Sequence, residues 1–115
     1  MTTAMPSTKP EVLQGTLDLM LMKTLEALGP LHGFGIARRI EQVAGNGLEL
    51  NHGTVYPALV RLEQQGLLTS AWGTSENNRR ARFYSLTKAG GRRLAAETED
   101  WLRTSAMMAR FLEVR

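Results

Sequence analysis

The 115 residues contain no cysteine, which excludes disulfides, thiolate metal sites and thiol catalysis. Histidine occurs only at His32 and His52, too few for an imidazole-built metal centre. Long apolar runs are missing as well, since no window approaches the ~20 residues of a membrane span. Residues 1–10 lack the basic start and apolar stretch of a secretory leader. There is no nucleophile–base–acid set, P-loop or dinucleotide fingerprint. Glu97, Glu99 and Asp100 are crowded acids, but helical spacing spreads them around a surface. These absences point away from an enzyme, a cofactor or a membrane, and towards a protein of the reducing cytoplasm.

Charge is what the chain has, and its placement is uneven. Between Asn51 and Arg93 lie seven basic residues (Arg61, Arg79, Arg80, Arg82, Lys88, Arg92, Arg93) against two acidic ones, Glu63 and Glu76. The segments on either side each sum to −1 within a total of +3. A basic centre between near-neutral ends is the footprint of a polyanion-binding surface, although a solubilising face produces the same count.

The apolar periodicity divides the chain. Residues 1–10 are polar, with two prolines, and read as a disordered tail. From Leu13 to Leu28 the apolar residues Leu13, Leu17, Met20, Leu21 and Leu28 recur at helical spacing, with Leu19 and Met22 on the other side. A helix apolar on two sides calls for a second partner, and in a small domain another subunit can supply one. A second helix is expected over Gly33–Ala44, with Phe34, Ile36, Ile40 and Val43 inward and Arg38, Arg39 and Glu41 outward. A third is expected over about Asn51–Gln65, with Val55, Leu59 and Leu62 buried. Asn51 and Thr54 compete as its cap, and Pro57 favours the later start. Leu67–Trp72 and Ala81–Leu86 are short β-type runs flanking a polar loop, hence a hairpin. Trp72, at the end of the first run, reads as core or hinge packing. Thr87 then caps a last helix from Lys88 to about Val114.

Three helices, a hairpin and a long helix spell a mainly α fold with a small β-hairpin, a winged helix-turn-helix over 11–87 and a dimerisation helix over 88–115. In such a fold the third helix enters the major groove of double-stranded DNA. Its side away from the core presents Thr54, Tyr56, Pro57, Val60, Arg61 and Gln64, with Asn51 and His52 at the leading end. Hydroxyl, amide, phenol and guanidinium groups suit phosphates and base edges. The hairpin loop, read as a flexible tip, brings Arg79, Arg80 and Arg82 to the adjacent phosphate backbone or minor groove. A winged helix used only for protein contacts is the competing reading, and the wing arginines argue against it. In the last helix Leu94, Thr98, Trp101, Ser105, Met108 and Leu112 share one face. That stripe outruns the small domain and calls for a homodimer, with the large Trp101 between small neighbours leaving room for a ligand.

The chain resembles the PadR family of transcriptional regulators from Leu13 to about Leu112. The resemblance rests on Leu31-His32-Gly33-Phe34-Gly35-Ile36, Gly53-Thr54-Val55-Tyr56-Pro57-Ala58-Leu59, Arg61-Leu62-Glu63-Gln64-Gln65-Gly66-Leu67 and Arg79-Arg80-Ala81-Arg82-Phe83-Tyr84-Ser85-Leu86-Thr87-Lys88-Ala89-Gly90. Phe34 and Phe83 stand where the family favours tyrosine, an aromatic-for-aromatic exchange. The single helix after the wing looks like the family's short form. The resemblance implies a homodimeric repressor on a pseudo-palindromic operator, released by a small molecule or another signal. It also implies that Thr54, Tyr56 and Pro57 face DNA, and that Trp101, with Thr98, Ser105 and Met108, receives a flat aromatic effector at the dimer interface.

Overall fold

Seven elements follow one another in the computed structural model, which describes residues 14–45 and 47–114. They are α1 (Gln14–Leu28), β1 (Leu31–His32), α2 (Gly33–Ala44), α3 (His52–Gln64), β2 (Leu68–Thr74), β3 (Arg80–Leu86) and α4 (Lys88–Glu113). The expected tail and Leu13 lie outside the described residues. The element that periodicity misses is β1, a two-residue strand that pairs antiparallel with β3 through Leu31↔Tyr84 and His32↔Phe83. With β2 on the other side of β3, the wing is a three-stranded sheet in the order β1-β3-β2.

Local chemistry sets the boundaries. The His32 imidazole caps α2, its Nδ1 accepting the Gly35 N–H at 3.0 Å. Asn51 caps α3, its Oδ1 accepting the Thr54 N–H at 3.0 Å. The later start favoured by Pro57 is therefore not adopted. The proline sits inside the helix, where it forfeits one hydrogen bond in exchange for a capped first turn. At the far end Gly66 takes φ +78°. The Gly66 N–H then donates to the Glu63 carbonyl at 2.9 Å and the Leu67 N–H to the Leu62 carbonyl at 3.0 Å. This is a Schellman closure with Leu62 and Leu67 both buried beneath it.

The core is a single cluster. Leu17, Leu21, Met22 and Leu25 of α1 meet Ile36, Ala37 and Ile40 of α2 and Val55, Ala58, Leu59 and Leu62 of α3, and Leu68, Tyr84 and Leu94 close it. Met22 therefore belongs to the core rather than to a second apolar side. The second side of α1 is instead Leu19, Met20, Thr24, Ala27 and Leu28, which with Ile40, Val43 and Ala44 of α2 line an apolar cleft of about 400 Å³. Val43 is 70% exposed there, because the end of α2 runs past the core. Phe34 is also exposed, with the Arg38 guanidinium 5.5 Å from its ring centre. Glu41 does not face freely outward. Its Oε2 accepts the Leu50 N–H at 2.7 Å and ties the 48–50 segment to α2.

The start of α4 is locked to the turn between α3 and β2. The Thr87 N–H donates to the Leu67 carbonyl at 3.1 Å, and the Thr87 hydroxyl donates to the Gly66 carbonyl at 2.7 Å and accepts from the Gly90 N–H at 3.0 Å. Past Leu94 the helix has no buried residue. It projects from the domain and gives a radius of gyration of 16.3 Å, against roughly 13 Å for a compact chain of this length.

This junction sets up a paired test. A Cβ on Gly90 would lie 2.1 Å from the Leu67 carbonyl oxygen, whereas one on Gly91 would meet nothing within 4 Å. Gly90→Ala is expected to destabilise the fold by about 3 kcal/mol through overpacking against backbone. Gly91→Ala should stabilise it by about 0.5–1 kcal/mol through helix propensity. Urea unfolding of the two variants checks the opposite signs.

Candidate nucleic-acid interface

The side of α3 opposite its buried stripe is open. Thr54, Tyr56, Pro57 and Gln64 are exposed, with Tyr56 at 54%. Asn51 and Thr54 cap as well as face outward. The Thr54 hydroxyl donates to Asn51 Oδ1 at 3.3 Å, so these two side chains are oriented by each other before any ligand arrives. The His52 side chain lies outside the described set.

Arg61 stands apart from this face. Its Nη1 and Nη2 donate to the two carboxylate oxygens of Asp18 on α1 at 2.9 and 2.8 Å. The guanidinium pKa is raised, first by those hydrogen bonds and against an opposing effect of burial. A fork-to-fork pair of this kind fixes both partners. Arg61 thus bolts α3 to α1, rather than standing free on the polar side of the helix as periodicity suggests. The partner lies 43 residues away in sequence, beyond the reach of any local pattern.

The wing differs from the expected flexible tip. β2 and β3 extend to Thr74 and Arg80, leaving a tight turn closed by the Ser75 N–H to Arg79 carbonyl bond at 2.8 Å, with Asn78 at φ +59°. Arg79 is in the turn, while Arg80 and Arg82 are strand residues two apart and so share one sheet face. Trp72 lies on that face directly opposite Arg82. It is not packed in a core or hinge but is 56% exposed. The guanidinium carbons of Arg80 and Arg82 lie 4.7 and 5.3 Å from its ring centre, within cation–π range. Arg82 is further fixed through Nε, which donates to Ser70 Oγ at 2.8 Å; Ser70 in turn donates to Glu63 Oε2 of α3 at 2.6 Å. Helix and wing are thereby joined side chain to side chain.

Beneath the wing, Tyr84 is buried and its phenol pKa is raised, first by burial. On the other sheet face the Phe83 ring covers Gly73, where an added Cβ would approach it to 2.9 Å, and meets His32 edge-on at 5.3 Å between ring centres. His32 Nε2 lies 3.5 Å from Glu76 Oε1. The Glu76 carboxyl is held below its usual range, first by its own backbone N–H and then by His32.

The sequence-predicted effector residues are not brought together within one chain. Trp101, 52% exposed, flanks a groove of about 330 Å³ with Gly15, Thr16 and Leu19 of α1 and Glu97, Asp100 and Thr104 of α4. Thr98 lines the separate α1–α2 cleft and spends its hydroxyl on the Leu94 carbonyl. Ser105 and Met108 line neither. Among the described residues no three His, Asp or Glu side chains could hold a metal ion, and no helix is long and apolar enough to cross a membrane.

The Asp18–Arg61 pair yields a stability prediction. Arg61→Ala should cost about 1–2 kcal/mol of folding stability, since the bidentate pair is largely shielded and leaves Asp18 without its partner. In a double-mutant cycle with Asp18→Ala, most of that cost should appear as coupling. Additive losses by denaturant titration would mean the pair contributes nothing.

Comparison with known proteins agrees with this geometry. Residues 21–96 match the Transcriptional regulator PadR-like family. A PadR family transcription regulator from Clostridium difficile superposes with a TM-score of 0.71 at 28% identity, covering 84% of this chain and 97% of that one. A transcriptional regulator from Clostridium thermocellum gives 0.77 at 25% identity, covering 87% and 96%. An uncharacterized 37.1 kDa protein of a Streptomyces fradiae transposon is 40% identical over 86 residues, 75% of this chain but 23% of that longer protein. The chain carries the winged-helix fold, the polar third helix and the cationic wing, and it belongs to the PadR-like family of DNA-binding transcriptional regulators.

Proposed function

We propose that the chain is a homodimeric repressor that binds a pseudo-palindromic operator and is released by a small effector, acting in the cytoplasm with the chromosome. The observation that supports this best is the joining of two unlike surfaces through Glu63, Ser70 and Arg82. One is the polar side of α3 and the other is the cationic face of the wing. In this reading residues 11–87 bind DNA, with Asn51, His52, Thr54, Tyr56 and Pro57 at the major groove. Arg79, Arg80 and Arg82 neutralise phosphates or enter the minor groove, because a hairpin cannot share a major groove already filled by a helix. Arg61 supports α3 from behind.

Residues 88–115 dimerise. α4 carries exposed Trp101, Leu102, Met107, Met108, Phe111 and Leu112 beyond the domain. Such an apolar stretch is stable in water only when covered, and the first helix of a second copy, apolar on its outer side at Leu19, Met20 and Leu28, covers it reciprocally. The groove beside Trp101 then lies next to the interface, and its indole wall suits a flat aromatic effector.

Two measurements test the reading. Arg79→Ala, Arg80→Ala and Arg82→Ala together should lower the slope of log affinity against log salt by about 1 per arginine per subunit, on operator and random duplex alike. Loss of operator binding alone, with the slope kept, would make the wing a base reader instead. Sedimentation at micromolar concentration should give twice the 12.7 kDa chain mass, and Phe111→Asp with Leu112→Asp should return the monomer. A monomeric parent chain would refute the dimer.

A further inference from the structure

Trp72 is the large aromatic that neither the fold nor the base-reading helix accounts for. It contributes nothing to the core and is more than half exposed. Two guanidiniums converge on its ring, although like charges repel at such spacing. Arg82 spends only Nε on Ser70, so both of its Nη groups are without a hydrogen-bond partner among the described residues. For Arg80 the Trp72 ring is the side-chain partner among those residues. Two cations gathered on one ring, with hydrogen-bonding groups to spare, form a site for an anion.

The surroundings narrow which anion. Trp72, Arg82 and Tyr84 form one wall of a notch of about 430 Å³, and Tyr56, Val60, Glu63 and Gln64 of α3 form the other. The notch lies between the two parts of the interface, so a DNA strand that meets both must cross it. A strand there presents alternating phosphates and deoxyriboses. Guanidiniums match the first, and the part of the indole that the arginines leave exposed matches the apolar side of the second. Glu63, the acid in the notch, accepts from Ser70 and sits at the α3 wall, leaving the wing wall cationic.

We propose that Trp72 contacts the sugar–phosphate backbone of duplex DNA and, with Arg80 and Arg82, forms one preassembled backbone seat between the recognition helix and the wing. The inference rests on the DNA-binding reading above. It adds a residue whose role is to fix how deep and at what angle the wing approaches the strand. Because the contact is to backbone, it is blind to sequence.

The test uses the full chain and leaves Trp101 in place. Intact protein, Trp72→Phe and Trp72→Ala are titrated with a random-sequence duplex and with the duplex of the protein's own promoter, following tryptophan fluorescence and duplex anisotropy together. Intact protein should show a fluorescence change at saturation. Trp72→Phe keeps a ring beneath the arginines and should bind within about three-fold of the parent, yet lose that change. Trp72→Ala should weaken binding about ten-fold, since it removes the indole contact with the strand and the platform that preorganises two arginines, and by the same factor on both duplexes. A fluorescence change that persists in Trp72→Phe, or parental affinity in Trp72→Ala, overturns the seat while leaving DNA binding intact. Failure of the parent chain to bind either duplex overturns the DNA-binding reading itself. If Trp72→Ala does not fold, the fluorescence comparison between parent and Trp72→Phe still decides.

Discussion

The bidentate pair between Arg61 and Asp18 ties α3 to α1, and the DNA face proposed for α3 depends on how that helix is held. A helix can offer one face to DNA only if its other face is held still. Val55, Ala58, Leu59 and Leu62 hold that face by close-packed burial, which sets the side that turns inward. The guanidinium–carboxylate fork adds a directional tie to α1 at the flank of the helix. Asp18 comes from α1, the helix that also walls the groove beside Trp101 through Thr16 and Leu19. The side that would bind an effector and the side that would bind DNA therefore share a rigid element, within one turn of helix.

The wing is set by a second chain of directional contacts. Glu63, Ser70, Arg82 and Trp72 run from α3 across β2 and β3, while β1 pairs with the opposite edge of β3 and His32 reaches towards Glu76 at the turn. The hairpin is thus held on both sides rather than hanging from its strands. Preorganised cations lose less side-chain entropy on meeting phosphates than free ones do, which favours ordered strand positions for Arg80 and Arg82 over a loose tip.

Most of the architecture was legible in the sequence because it is local. The Val55–Leu59–Leu62 stripe, the Thr87 cap and the change from helical to alternating period each lie within a few residues of one another, whereas the Asn51 cap was obscured by Pro57. What escaped was long-range or two-sided. Arg61 looked free because Asp18 is remote. Periodicity turns Met22 outward because it does not register that α1 is flanked by core on more than one side, and it turns Val43 inward because it does not reveal where a core stops. β1 is too short to leave a pattern. Trp72 was misread because large aromatics are usually covered. Only the register that sets it opposite Arg82 and diagonal to Arg80 makes it a surface group. The face of α3 was visible from its residue types, whereas its union with the wing needed the register and the Ser70 relay.

The central claim is that α3 and the wing form one continuous DNA surface from which α4 is excluded. Backbone amide chemical shifts followed by NMR during titration with a promoter duplex address it most directly. The account predicts that the largest perturbations fall on 51–64 and on 72–82, moving together at one stoichiometry, with the exposed half of α4 unchanged. Perturbations concentrated on α4 or on the α1–α2 cleft, with the wing silent, would contradict it.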